Sequence, residues 1–178
     1  MDEEKEEDLL ELIKKSMTNF LEQLAAEYYS YLGYFVKTNV KFGLRNSGGW
    51  KGEMDVVAYH PESLTLLHIE TSMDADSWGH RYNMFKRKFS TAESYYRKIF
   101  KFKIKKIEKM AIVGLSVPRQ QPDLWKIVPV KYIPHFIQEI TDYLSQFSPL
   151  THAIPENFSL LRAIQFAIHF DKGKRLIG

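Results

Sequence analysis

The chain has 178 residues, 44% hydrophobic and 26% charged, with a formal net charge of +3 and no cysteine. That length suits one domain with a sizeable core. The absence of cysteine excludes disulfides, thiolate zinc sites and a cysteine nucleophile, and no apolar run is long enough to span a bilayer.

The opening residues are acidic, so no targeting segment is expected, and a cytoplasmic location is the expectation. Leu9, Ile13, Met17, Phe20, Leu24, Tyr28 and Tyr31 recur at spacings of three and four. They predict one amphipathic helix over 8–32, stopped by Gly33. Glu27 lies at the border of that stripe. There it either reaches out to water or turns inward as a ligand on the rim of a cleft.

Tyr34 to Phe42 reads as a first strand, and Gly43 to Lys51 as a flexible turn. Gly52–Tyr59 and Leu64–Ser72 are short, apolar and rich in strand-forming residues, with a tight connection at His60–Ser63. Together they predict a hairpin of two buried strands. A polar loop follows, in which Asp74 and Asp76 suit caps better than metal ligands.

Tyr82, Phe85, Phe89, Ala92, Tyr96 and Ile99 repeat at three and four and predict a long helix over about 78–102. At 100° per residue, Lys86, Arg87, Lys98 and Lys101 fall away from this stripe. Arg81 falls within it, and Lys88 at its edge. A strand over 109–115, a short edge strand over 126–130 and helices over about 134–146 and 155–170 complete the order. The whole predicts a single domain over 1–178, with a core over about 8–130 and C-terminal helices over about 131–170 packed on it. Its fold class is α/β, a mixed central sheet flanked by helices.

Residues 1–30 hold nine acids and three bases, whereas residues 81–109 hold eleven bases and two acids. A basic block points to an anionic partner, DNA foremost, or to a solvated helix face. Lys86, Arg87, Lys98 and Lys101 are its candidates for phosphate contact. Trp78, Tyr82, Tyr95 and Tyr96 suit core packing better than stacking on bases.

Each hairpin strand carries a carboxylate where an apolar residue is expected. Burying a lone carboxylate is costly unless it is paired or bound to a metal. Side chains alternate along a strand, so His68, Glu70 and Ser72 share one face, and Glu53, Asp55 and Val57 share another. Asp55 and Glu70 on adjacent strands repel unless a cation lies between them. Two carboxylates with room for water suit Mg²⁺, which activates water and neutralises phosphate charge. His60 and His68 are too few for a zinc site. His68 packs or hydrogen-bonds beside the carboxylates.

Gly52-Glu53-x-Asp55-Val56-Val57-Ala58, followed by Leu67-x-Ile69-Glu70-x-Ser72, carries a resemblance. With Glu27 on the preceding helix and Tyr34-x-Val36 opening the first strand, it resembles the PD-(D/E)XK nuclease superfamily, which includes restriction endonucleases and archaeal Holliday-junction resolvases. The resemblance covers roughly residues 20–116. It implies a restriction endonuclease-like α-β-β-β-α-β core, and a Mg²⁺ site that also takes Mn²⁺. It further implies hydrolysis of DNA phosphodiesters by an activated water, and often a homodimer. Asp55 and Glu70 match the family's metal-binding acids, and Glu27 matches its first-helix acid.

One position departs from the pattern. The family carries lysine two residues after the strand acid, where this chain has Ser72. A serine hydroxyl supplies no positive charge. Either the cation has migrated, or the domain is a degenerate one that binds nucleic acid or a protein partner without cutting. Arg81 and Lys88 are the replacements that face inward. Arginine does not deprotonate in proteins, so Lys88 is the better of the two, ahead of Lys37 and Lys41.

Overall fold

The computed structural model describes residues 19–73, 77–114 and 126–171. Asn19, in non-helical backbone, opens helix α1 (Phe20–Tyr31) by accepting a hydrogen bond from Leu21 N–H at 3.0 Å. The helix expected over 8–32 therefore starts at Phe20 among the described residues. Leu9, Ile13 and Met17 lie outside them, as do Asp74 and Asp76. Gly33 (φ +89°) provides the left-handed residue that ends α1.

Strands β1 (Phe35–Leu44), β2 (Trp50–His60) and β3 (Thr65–Ser72) form an antiparallel meander. β3 then pairs in parallel with β4 (Lys106–Val113), and β4 in parallel with β5 (Val130–Tyr132). The result is a mixed five-stranded sheet in the order β1-β2-β3-β4-β5. A parallel neighbour needs a crossover, and here it runs through α2 (Trp78–Glu93) and the single turn α3 (Tyr96–Ile99).

The helix expected over 78–102 is thus divided at Ser94–Tyr95, where Ser94 Oγ bonds back to Thr91 O. The apolar stripe continues across the break, since Ala92 and Tyr96 are both buried. The strand expected over 126–130 starts only at Val130. Pro129 has no N–H for a ladder, although its carbonyl accepts from Ala111 N–H at 3.0 Å. Helices α4 (Ile133–Leu144) and α5 (Ser159–Asp171) close the chain order.

Strand alternation sorts the core into layers. Met110 and Ile112 pack with Leu67 and Ile69 against α1, α4 and α5. Ala111 and Val113 face the other way, against Phe85 and Phe89 of α2. On that same side, Val57 and Leu66 pack against Ala92 and Tyr96. No helix among the described residues is long and apolar enough to cross a membrane.

The alternation fails at one place. Met54 and Val57 are three residues apart on β2, yet they enter the same cluster. Val36 packs on the α1 side while Val40 and Phe42 pack on the α2 side, although all three have the same parity. Between them lies Asn39, with φ +52°, flanked by the pairs Thr38↔Val56 and Val40↔Met54. Asp55 occupies the position across from it. The β1–β2 ribbon therefore turns over at Asn39 and Asp55, and its far half folds towards α2. A non-glycine residue at positive φ within a strand is strained.

Candidate active site

Asp55 sits at this turnover point, where β2 leaves β3. The β2–β3 ladder runs to Val56↔Ile69, so Asp55 and Glu70 are the next opposed residues beyond its last pair. Both are buried, at 8% and 0% exposure. Asp55 Oδ2 accepts from Thr71 N–H at 2.9 Å, and Oδ1 accepts from Lys88 Nζ at 2.7 Å. The same ammonium forms an ion pair with Glu70 Oε2. Lys88 comes from the edge of the α2 stripe and reaches the pair from above the sheet.

Burial pushes the Asp55 carboxyl up to about 6, reinforced by the charge on Glu70 and opposed by Lys88. Glu70 is also pushed up by burial, again against Lys88. For Lys88 burial works against the charged form, but Glu70 and Asp55 outweigh it and hold its pKa above the ordinary value. Lys88 is therefore a cation at neutral pH, suited to balancing negative charge rather than to abstracting a proton.

A buried chain of hydrogen bonds backs Glu70. His68 Nε2 lies 2.6 Å from Glu70 Oε1, and His68 Nδ1 lies 2.7 Å from Tyr96 Oη. Burial pushes His68 down to about 3, so the ring is neutral and its contact with Glu70 is not an ion pair. With Glu70 ionised, only one tautomer serves both contacts: Nε2–H donates to Glu70, and Tyr96 O–H donates to Nδ1. Phe89 packs edge-on against the ring at 4.9 Å.

Glu27 does not join this group, which corrects the expectation of three acids around one ion. It points to α5, where Oε2 accepts from Leu160 N–H at 2.8 Å and Leu161 N–H at 3.1 Å. Oε1 accepts from Gln23 Nε2 at 2.9 Å and Ser159 Oγ at 3.3 Å. It caps a helix N-terminus, where the backbone offers free donors and a favourable dipole.

The first-helix acid near the pair is Glu22, which the sequence reading passed over. Burial raises it to about 7, and the next largest cause is the charge on Asp55. Residues five apart on a helix point about 140° away from each other, so Glu22 and Glu27 serve different sides. The available signal was Asn19, an N-cap residue that places Glu22 in the first turn. Asn19 also donates to Thr71 Oγ1 at 3.4 Å, which ties that turn to β3.

Ser72 is buried on the Glu70 face of β3, two residues from it. Arg81 is buried as the stripe required, and its guanidinium lies 4.9 Å from the Trp78 ring. The ion pairs to Asp55 and Glu70 come from Lys88. Lys86, Arg87, Lys98 and Lys101 are exposed. Arg87 and Lys88 line a cleft of about 340 Å³ together with Arg45, Lys51 and Glu53. Four cations and one acid thus border the approach to the carboxylates.

Among the described residues, no group of three or more His, Cys, Asp or Glu side chains is arranged to hold an ion. Two carboxylates are enough for Mg²⁺, which keeps several waters and takes remaining ligands from substrate phosphate. Glu70 Oε2 meets the Lys88 ammonium, and hydrogen bonds from Lys88 and from the Asp55 backbone oppose the effect of burial on Glu70. Burial is the largest cause that raises Glu22, Asp55 and Glu70; the charge on Asp55 adds to it at Glu22, and the charge on Glu70 adds to it at Asp55. Asp55 and Glu70 present carboxylate oxygens, the donor type that a hard divalent cation takes.

Comparison with models of known protein families gives no match. No curated protein matches the sequence either.

Proposed function

We propose that the chain is a metal-dependent deoxyribonuclease of the PD-(D/E)XK kind whose lysine has moved from strand to helix. The observation that carries this reading is Lys88 Nζ lying between Asp55 and Glu70, on the side where Ser72 leaves no charge. The order α1-β1-β2-β3-α2-β4, with β1 to β3 antiparallel and β4 parallel, also supports a restriction endonuclease-like core. Asp55 and Glu70 would hold the divalent ion, Mg²⁺ or Mn²⁺, with Glu22 adding negative charge nearby. When bound, the ion supplies a water acidified for attack and a counter-charge for the phosphate.

The protein's own groups do the rest. Thr71 N–H and Lys88 orient the two oxygens of Asp55. His68 and Tyr96 hold one oxygen of Glu70, which leaves the other to face Lys88. The fixed ammonium stabilises negative charge that develops on the phosphoryl oxygens. Arg45, Lys51 and Arg87 line the approach for the phosphate backbone.

Plasmid, nicked, branched and single-stranded DNA incubated with Mg²⁺ or Mn²⁺ test the proposal. Cleavage is expected, and Lys88→Ala should slow it by about 10²–10³-fold. Introducing Ser72→Lys into Lys88→Ala should restore part of the rate, because it returns the cation from the strand side. Cleavage that persists in Asp55→Ala would sink the proposal.

A second reading has its own support. Lys88 already partners both carboxylates, and the described residues contain no three-ligand group. A degenerate domain would bind DNA in a salt-dependent way and cut nothing. Gain of cleavage by Ser72→Lys in an inactive parent would identify it.

A further inference from the structure

A second cavity lies on the same side of the sheet as the acid pair. It has a volume of about 440 Å³, within the roughly 300–1,000 Å³ of ordinary ligand pockets. Its walls are apolar apart from one lysine, and four of the nine lining residues are aromatic: Phe35, Tyr59, Phe100 and Phe102. Its one charged lining residue is Lys37. Phe35 and Phe102 remain 71% and 44% exposed, at the mouth of the cavity.

The walls are held in place. Tyr59 O–H donates to Lys103 O at 2.9 Å, which fixes the segment carrying Phe102 against β2. The Tyr59 and Phe102 rings lie 4.2 Å apart, and Phe100 and Phe102 lie 5.6 Å apart. That segment alternates cations with apolar residues, as Lys101-Phe102-Lys103-Ile104-Lys105. Lys101, Lys103 and Lys105 are exposed, and none of the lining residues is acidic.

The cavity and the cleft beside the acid pair are joined through one apolar cluster. Phe42 and Lys51 line that cleft, and Phe42 and Tyr95 belong to one apolar cluster with Val57, Leu66 and Phe100, which line the cavity. The Tyr95 ring packs on Phe42 at 4.9 Å and carries Lys98 at 5.0 Å. From Phe42 to Val36 is about 20 Å along β1 at roughly 3.3 Å per residue, a span of several nucleotides. Preformed aromatic faces flanked by lysines match the general chemistry of single-strand binding, in which bases stack and cations follow the phosphates. An acyl chain or an apolar protein surface would not call for the lysines.

We propose that this cavity receives an unstacked nucleobase from a single-stranded DNA segment, between Phe35 and Phe102, with its phosphates on Lys37, Lys101 and Lys103. The proposal rests on the deoxyribonuclease reading for the identity of the polymer. It extends that reading to substrate class: DNA with an unpaired strand beside the cut.

The test is equilibrium binding without divalent ion, in low salt. The probes are a short single-stranded oligodeoxynucleotide and its fully paired duplex. Phe35→Ala and Phe102→Ala are exposed changes that leave the core intact. Each should weaken single-strand binding about ten-fold and leave duplex binding unchanged. The paired change Lys101→Ala with Lys103→Ala should weaken binding to both and flatten its salt dependence.

Single-strand affinity unchanged in both phenylalanine variants overturns the proposal, as does equal loss on duplex. A dimer that dissociates in these variants at constant DNA affinity also overturns it, and identifies a second copy as the occupant. Binding needs no metal, so an absence of cleavage would sink the nuclease reading and leave this result standing. Unchanged affinity in a protein that does cut DNA would remove this proposal alone.

Discussion

Two buried glutamates, Glu27 on α1 and Glu70 on β3, show how differently one side chain is used on the two sides of the sheet. Glu27 is 7% exposed and receives two backbone N–H groups, a hydroxyl and an amide. Every partner is neutral, and together they saturate it. Glu70 is fully buried beside another carboxylate and is pushed up in pKa by that burial, with the Lys88 ammonium opposing the shift. The first arrangement fastens α5 to α1. The second keeps like charges together against their repulsion, and such a conflict is characteristic of functional sites.

The sharpest way to break this comparison is to truncate both. Glu70→Ala should lower DNA cleavage by about 10³-fold, roughly 4 kcal/mol of transition-state stabilisation. Glu27→Ala should leave the rate within about threefold at temperatures where the variant is folded. Urea denaturation should then show the opposite ranking of purpose. Glu27→Ala should lose about 1–2 kcal/mol of stability, because a helix N-terminus loses its cap and the buried Leu161 N–H is left without that acceptor. A Glu27→Ala protein that is stable but inactive would reverse the assignment.

Divalent ion offers the next largest effect. At about one hundred times its dissociation constant, Mg²⁺ or Mn²⁺ should stabilise the folded protein by roughly 2.7 kcal/mol. The gain should appear as a raised melting temperature. It should vanish in Asp55→Asn and persist in Glu27→Gln. An equal rise in both variants would place the ion elsewhere.

Glu22 gives the smallest and most pH-dependent effect. Its folded pKa of about 7 lies above the ordinary 4.5, so the folded state holds the proton more tightly than the unfolded chain. The wild type should therefore lose stability relative to Glu22→Gln as pH rises from about 4.5 to about 7. The difference should be near zero below that window and constant above it. Half-exposure keeps it below about 1 kcal/mol. Parallel urea titrations at pH 4 and pH 8 check the sign, and a larger difference at pH 4 would contradict it.

Much of the buried acid pair is legible in the sequence. Asp55 and Glu70 stand out because acids interrupt apolar strands, and Lys88 stands out because helical periodicity puts it at the edge of a stripe. Both signals depend on the period of a strand or a helix, which is a local property of the backbone. Lys86 and Arg87 were assigned to solvent on the same basis, and they are exposed.

Long-range packing decided what periodicity could not. The partners of Glu27 on α5 lie 132 to 134 positions away in the chain, and no local pattern announces them. The first-turn place of Glu22 follows from where Asn19 starts α1. The turnover at Asn39 and Asp55 depends on how the β1–β2 ribbon closes over α2. A residue's own element sets its direction about that element's axis. The roll and depth at which elements settle on one another arise only when the whole sheet and its helices pack.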